Sequence, residues 1–393
     1  MTTSESFVKP MPGWLVLLFA ATCGFAAANL YYAQPIISII SNSLGQDAST
    51  ASFIVTLGQL GYCAGLFFLV PLGDLLDNRR LILCTMGVLI VALAASALAP
   101  TSELFLLAMF ILGGSSVVAQ MIVPVAAHLS SDANRGQVVG TVMSGLLTGI
   151  LLSRPVSILI TDSIGWRSVF GISAVLIAVI MIMLARLLPA RRPTAGHSYA
   201  ELIGSLLILW RTTPLVRLRA FYQASLFASF ILFWTIVPLH LAGPSINLQQ
   251  SSIALFALVG ALGVLAAPVA GRFADRGKSH IATGFSISMV AFAFLLAIVW
   301  PDSLFALVCA SVLLDIGVQA NLVIGQRAIY SLGADKRSRL NALYVAFFFV
   351  GGALGSALAS PLFEYGQWKL VCGVGLAFPV TALFLYARNN SKY

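Results

Sequence analysis

The 393-residue sequence predicts an all-α integral membrane protein whose twelve transmembrane helices form two six-helix pseudo-repeats. Three observations carry that prediction. Hydrophobic residues make up 59% of the chain and charged residues 9%, where a soluble domain carries about 25% charged residues. A soluble fold could not hide that much apolar surface from water. Nineteen of the 22 Lys and Arg residues fall on one side of an alternation of apolar segments, as expected of loops retained in the cytoplasm. Finally, the second half of the chain repeats unusual residues of the first at a fixed offset.

The apolar segments cover 13–40, 50–72, 81–99, 104–129, 137–160, 168–188, 218–241, 252–270, 280–300, 304–328, 340–362 and 369–387. At about 1.5 Å per helical residue, such lengths reach across a hydrocarbon core roughly 30 Å thick. The first segment is too long for a signal-peptide core and no small-residue cleavage site follows it, so it reads as a span. The retained basic set is Lys9, Arg79, Arg80, Arg135, Arg186, Arg191, Arg192, Arg211, Arg217, Arg219, Arg272, Arg276, Lys278, Arg327, Lys336, Arg337, Arg339, Arg388 and Lys392. Arg167 and Lys369 fall in the opposite loops, and Arg154 lies inside a span. Both termini are therefore expected in the cytoplasm.

Residues 189–217 separate spans six and seven. They open with Pro189 and Arg191-Arg192-Pro193, then place Tyr199, Leu202, Ile203, Leu206, Leu207, Leu209 and Trp210 as a short amphipathic helix before Pro214. The segment reads as a cytoplasmic linker on the membrane surface. It divides the chain into halves 1–188 and 218–393. A shift of 198 residues brings Gly65, Gly73, Asp77 and Arg80 onto Gly263, Gly271, Asp275 and Lys278. A shift of 202 brings Arg135, Trp166 and Arg167 onto Arg337, Trp368 and Lys369. Repeated six-span halves place a solute site near the midplane where the halves meet.

Composition and motif content remove other classes. The net charge of +9 follows from the positive-inside bias, so nucleic acid is not an expected partner. The five cysteines lie within spans without metal-like spacing, and no metal site or cofactor is expected. No dinucleotide fingerprint, phosphate-binding loop or zinc-protease motif occurs, and no catalytic constellation suggests an enzyme.

Two charged turns carry mechanism. One reads Gly73-Asp74-Leu75-Leu76-Asp77-Asn78-Arg79-Arg80; the other reads Gly271-Arg272-Phe273-Ala274-Asp275-Arg276-Gly277-Lys278. Glycine lets helix ends approach, and an acid beside basic residues can lock one half and release it. A single such turn could equally be a topological anchor; two at matching positions favour a gate built on Gly73, Asp77, Arg79, Arg80, Gly271, Asp275, Arg276 and Lys278.

These turns resemble the signature loop of the major facilitator superfamily, G-x-x-x-D-R-x-G-R-R/K, with the inner glycine missing and the loop two residues shorter. Asn29-Leu30-Tyr31-Tyr32-Ala33-Gln34-Pro35, Gly165-Trp166-Arg167 and Gly351-Gly352-Ala353-Leu354-Gly355-Ser356 resemble its bacterial drug- and arabinose-efflux permeases. The resemblance implies a monomer in the bacterial inner membrane, with spans one, four, seven and ten lining a cavity. On that frame Asn29, Tyr32 and Gln34 of span one, Gln120 of span four, and Gln223, Phe227, Phe230 and Trp234 of span seven are cavity candidates. The last four recur at steps of four, three and four, which is one helical face. Few hydrogen-bonding groups among aromatic walls suit an amphiphilic solute better than a sugar.

Asp315 is the acid nearest the middle of a span, in span ten. Burying an ionised group there costs at least ~2.5 kcal/mol, so it needs a partner, water or a proton. Gln319 and Gln326 share its face within an arc of about 40°. Arg154 in span five either snorkels to the outer surface, pairs with Asp315 or binds an anionic solute. The patterns Gly61-x-x-x-Gly65, Gly145-x-x-x-Gly149 and Gly351-x-x-x-Gly355 are expected to pack the two halves together. His128, His197, His240 and His280 read as interfacial.

The sequence thus points to a secondary transporter that exports small organic molecules in exchange for protons, with Asp315 as the proton carrier. The alternative is proton-coupled uptake of a sugar or organic anion, the anion held by Arg154. Small-molecule solute, protons and membrane lipid are the expected partners.

Overall fold

A computed structural model describes residues 12–47, 50–131, 134–189, 198–260, 279–332 and 337–390. Every regular element among them is helical. Nine helical stretches are long and apolar enough to cross a membrane, and one of these, Arg339–Asn389, is twice the usual length. It breaks at Gln367, whose backbone is not helical (φ 51°, ψ −158°), and so supplies two spans. The shorter apolar helices Gly13–Ala28 and Gln250–Gly260 complete the series of twelve.

Span 1, a single apolar segment in the sequence, is interrupted near Pro35. Gly13–Ala28 gives way to turns, then to a 3-10 turn Gln34–Ile36 carrying Pro35, and then to Ile37–Ser43. Proline lacks the N–H that would continue the helix. Spans 2 to 6 are Phe53–Asp74, Asn78–Leu98, Ser102–Leu129, Arg135–Ile164 and Trp166–Leu187. Spans 7, 9 and 10 are Pro214–Ala242, Ser279–Val299 and Leu304–Tyr330, and Gln250–Gly260 is the described part of span 8. Large apolar side chains such as Val91, Val175, Ile182, Phe285, Phe292 and Phe384 point outward and are exposed, whereas span 7 is buried along most of its length. Such an apolar outer face is what a lipid solvent selects.

The repeat is visible in backbone conformation. Spans 5 and 6 meet at Gly165 (φ 89°), and spans 11 and 12 meet at Gln367 (φ 51°), which lies 202 residues on. A positive φ suits glycine; held by a glutamine it costs on the order of 1–3 kcal/mol. Trp166 then packs edge-on to Phe105 and Phe170, and Trp368 packs on Phe233.

The glycine patterns depart from expectation. Gly61 and Gly65 abut Phe110 and Gly114 of span 4, Gly145 and Gly149 abut Ala20 and Gly24 of span 1, and Gly351 and Gly355 abut Ala224 and Ala228 of span 7. All three join helices within one half, not across the halves. The close backbone approach that glycine permits is used to make each six-span unit rigid.

Between the halves the contacts are hydroxyl-rich instead. Spans 2 and 11 meet at the end bearing Arg167, here termed the far end. The Ser52 amide donates to Ser360 Oγ at 3.0 Å and the Ser360 amide to Ser52 Oγ at 3.2 Å. One turn inward, Thr56 Oγ1 and Ser356 Oγ lie 2.7 Å apart, and further in Tyr62 meets Phe349 with ring centroids at 4.3 Å. Spans 5 and 8 form a second seam.

At the opposite, basic end lies the linker helix Tyr199–Thr212, started by a capping box of Ser198 and Glu201. It buries Leu202 and Leu206 against the bundle, so the structure seats this helix on protein as well as at the surface. Tyr199 Oη donates to the Phe68 carbonyl of span 2, while Trp210 stacks on Phe347 of span 11 and Arg339 donates to Ser205. It therefore touches both halves. Residues 190–197 of the linker lie outside the described residues.

The reciprocal Ser52–Ser360 contact makes a direct prediction. Ser52→Cys combined with Ser360→Cys should cross-link under mild oxidant, holding the halves together on a non-reducing gel after cleavage at a protease site placed in the linker. Each single variant should let them separate.

Candidate functional site

The site grows from the break in span 1. With the helix interrupted, Gln34 reaches across to span 7, donating from Nε2 to the Ile231 carbonyl and to Thr235 Oγ1, each at 3.3 Å. Its Oε1 accepts from Arg154 Nε at 3.1 Å. Arg154 precedes Pro155 in span 5, and Ser157 Oγ bonds the Arg154 carbonyl at 3.0 Å where the proline disturbs the helix ladder. The Arg154 guanidinium lies 4.5 Å from the Trp234 ring centroid, 5.1 Å from Phe230 and 5.5 Å from Tyr31. Cation–π contacts of this desolvated kind contribute roughly 2 kcal/mol. Arg154 is 2% exposed, so it does not snorkel.

Asp315 is equally buried, and its Oδ1 accepts from the Trp234 indole N–H at 2.9 Å. Trp234 thus holds the base on its face and the acid on its edge. No hydrogen bond joins Arg154 to Asp315; the two charges act on each other through space. Arg154 Nη2 is buried without a hydrogen-bond partner. Gln34, Arg154, Trp234 and Asp315 form one polar cluster running from spans 1 and 5 to spans 7 and 10.

Beneath this cluster, toward the basic end, opens a cavity of about 340 Å³. Gln120, Gln223, Phe227, Phe230, Gln319 and Gln326 line it. Tyr31, Tyr62, Tyr330 and Asn341 line it too, although the sequence reading did not select them. Gln120 Nε2 donates to Tyr62 Oη at 3.2 Å, and Gln326 Nε2 to Asn341 Oδ1 at 3.3 Å. Gln223 accepts from Asn321 Nδ2 at 2.7 Å. The wall is therefore richer in hydrogen-bonding groups than the sequence suggested, which removes the sequence-level argument against a sugar. The signal passed over was tyrosine at intramembrane positions other than Tyr32.

Two candidates from span 1 lie elsewhere. Asn29 accepts from Ser173 Oγ within the first half, and Tyr32 faces the seam between spans 1 and 5; neither lines the described cavity. Tyr32 continues the helical stripe of Gly24 and Ala28 that faces span 5, whereas Ala27, Leu30 and Tyr31 take the cavity face. Gln34 and Trp234 also leave the cavity wall and join the polar cluster above it.

In the first charged turn, Asp77 caps span 3 by accepting from the Arg80 amide at 2.9 Å, and Arg79 donates to the Ala185 carbonyl of span 6. These bonds stay within the first half. A smaller cavity of about 150 Å³ beside Gly73 connects this region with Leu206, Arg339 and Gln120. Gly271, Asp275, Arg276 and Lys278 lie outside the described residues.

Comparison with known proteins follows this geometry. The chain matches the Major Facilitator Superfamily over residues 17–285 and 220–392. The chain belongs to this superfamily. It is 41% identical over 383 residues to the transporter YgaY of Escherichia coli O157:H7, covering 96% of each chain. It is 22% identical over 386 residues to a probable sugar efflux transporter of Helicobacter pylori (strain P12), covering 98% of this chain and 97% of that one. Among solved structures it superposes on a POT family transporter in complex with a thioalcohol conjugated peptide, with a TM-score of 0.74, 17% identity and 96% of each chain covered. The protein is a multi-pass membrane transporter of the major facilitator type.

The Trp234–Asp315 bond can be read directly. In Trp234→Phe the ring face is kept and the donor lost, at a cost of about 1–3 kcal/mol. The carboxyl infrared band that Asp315→Asn removes should move to higher frequency, and the melting temperature should fall by a few degrees.

Proposed function

We propose that this transporter exports small organic molecules in exchange for protons, by alternating access, with the basic end in the cytoplasm. The observation that carries the reading is the placement of Asp315 and Arg154: opposite charges, both buried, on different halves, with Arg154 Nη2 lacking a partner. Protonated Asp315 is neutral and keeps the Trp234 donor on its carbonyl oxygen. Once it loses the proton, a carboxylate in a medium of low dielectric is drawn to the nearest unpaired cationic donor. That donor sits on span 5 of the other half. Proton release would therefore pull span 10 toward span 5, a displacement between halves.

Outward direction draws support from the relatives named as sugar efflux transporters. The positive-inside pattern supports the orientation. The cavity reaches toward the basic end while the far end is held by Ser52, Thr56, Ser356 and Ser360, as expected of a form that loads from the cytoplasm. The charged turn at Asp77 would then lock the basic end in the opposite form. A proton-coupled importer would use the same cluster with the reverse net flux.

Proteoliposomes with an imposed pH gradient test this. Wild type should accumulate cargo against its gradient on the acidic side, and Asp315→Asn should lose gradient-driven accumulation by at least tenfold while retaining cargo-for-cargo exchange. Undiminished accumulation by Asp315→Asn would remove the proton role. Net movement of cargo with the proton would replace export by uptake.

A further inference from the structure

The cavity and the charged cluster are separate compartments. Arg154 and Asp315 do not line the cavity, although both lie close to it. Tyr31 and Phe230 do line it, and both rings also lie against the Arg154 guanidinium. These two rings form a partition. Below it, among the described lining residues, no side chain is charged; the polar groups are carboxamides and phenols. Each of those groups both donates and accepts, or has one of each to offer.

Gln319 is the most telling. It is 9% exposed and lies on the cavity wall, four residues after Asp315, yet its amide makes no hydrogen bond to protein among the described residues. Its neighbours Gln223 and Gln326 are held by Asn321 and Asn341. Held carboxamides keep a fixed direction; a free one on the wall is available to a solute. Opposite polarity stands beside them: Phe227 and Phe230 stack nearly parallel (12°, centroids 5.6 Å apart) and Phe348 and Phe349 lie at 29° to one another.

We infer that the cargo is uncharged, with hydroxyl or amide groups along one edge and a flat apolar face on the other, of the kind a glycoside presents. This rests on the transport reading above and names its substrate class. An ionic group in this cavity would face no counter-charge among the described lining residues, and the buried Arg154 and Asp315 are not among them. Transfer of an unpaired ion to such a site is opposed far more strongly than transfer of a hydroxyl that finds an amide partner. The partition also separates the cargo from the proton: cargo and proton communicate through movement of spans 5, 7 and 10, not by competing for one carboxylate.

The test is equilibrium binding to purified, detergent-solubilised full-length protein, without any gradient, at neutral pH. The probes are phenyl β-D-glucoside, phenyl β-D-glucuronide, which adds a carboxylate to the same body, and tetraphenylphosphonium, an aromatic cation. The glucoside should bind, and the two ions should bind at least tenfold more weakly. Gln319→Leu should weaken the glucoside about tenfold and leave the ions unchanged; because Gln319 holds no protein group, the fold should survive, and an unchanged melting temperature checks this. Equal or tighter binding of either ion, or binding of none of the three, overturns the inference, as does Gln319→Leu that binds the glucoside normally. Failure here alongside proton-driven flux that depends on Asp315 would leave the export reading standing with a charged cargo. Glucoside binding with flux indifferent to pH would do the reverse.

Discussion

A buried arginine and a buried aspartate on opposite halves, both held by one tryptophan, set the terms for the rest of this structure. Each charge at the bilayer centre is opposed by at least ~2.5 kcal/mol on insertion scales. The molecule offsets this with neutral partners: the Gln34 carbonyl for Arg154 Nε, three aromatic faces for its guanidinium, and the Trp234 indole for Asp315. A direct ion pair would be stronger and would also fix the halves together. In the proposed exchange, holding the two groups near but unpaired would leave their attraction available to do work when the protonation state changes.

Other features follow from bringing those four side chains together. Gln34 reaches span 7 only because span 1 unwinds ahead of Pro35. Arg154 is positioned next to Pro155, with Ser153 and Ser157 bonding the Ile150 and Arg154 carbonyls on either side. Span 7 is buried along most of its length because one face supplies the cavity wall and the other supports the second half. Rigid six-span units are needed to transmit a small displacement, and the glycine contacts between spans 1 and 5 and between spans 7 and 11 provide them at equivalent places in the repeat.

How much of this was legible in the sequence depended on the kind of signal. Hydrophobic length and basic-residue asymmetry gave the twelve spans, because lipid imposes both without regard to detail. Helical periodicity brought Gln223, Phe227, Phe230, Gln319 and Gln326 to one cavity, since regular helices preserve face relationships over many turns. It argues against Tyr32, which shares the stripe of Gly24 and Ala28 toward span 5 while Ala27, Leu30 and Tyr31 face the cavity; Asn29 and Tyr32 stand out in the sequence only as polar side chains. It also assigned Gly61, Gly145 and Gly351 to the wrong seam: a small-residue pattern says that backbones approach closely, not which helix does the approaching. The roles of Tyr31 and Trp234 as plates against Arg154 depend on tertiary contact, and no local pattern encodes them.

The seam at the far end shows how such a molecule remains switchable. Its hydrogen bonds join Ser52 to Ser360 and Thr56 to Ser356, each worth about 0.5–1.5 kcal/mol net. One turn further in, Gln59 is fully buried and neither its Oε1 nor its Nε2 has a partner. An unsatisfied buried amide costs about 1–3 kcal/mol per group, which is comparable with what the neighbouring hydroxyl bonds provide. Opening this seam would break the hydroxyl bonds and at the same time give Gln59 access to water. The two effects oppose each other, which lowers the net cost of opening this seam. A seam of leucines would close more tightly, and it would be far harder to reopen.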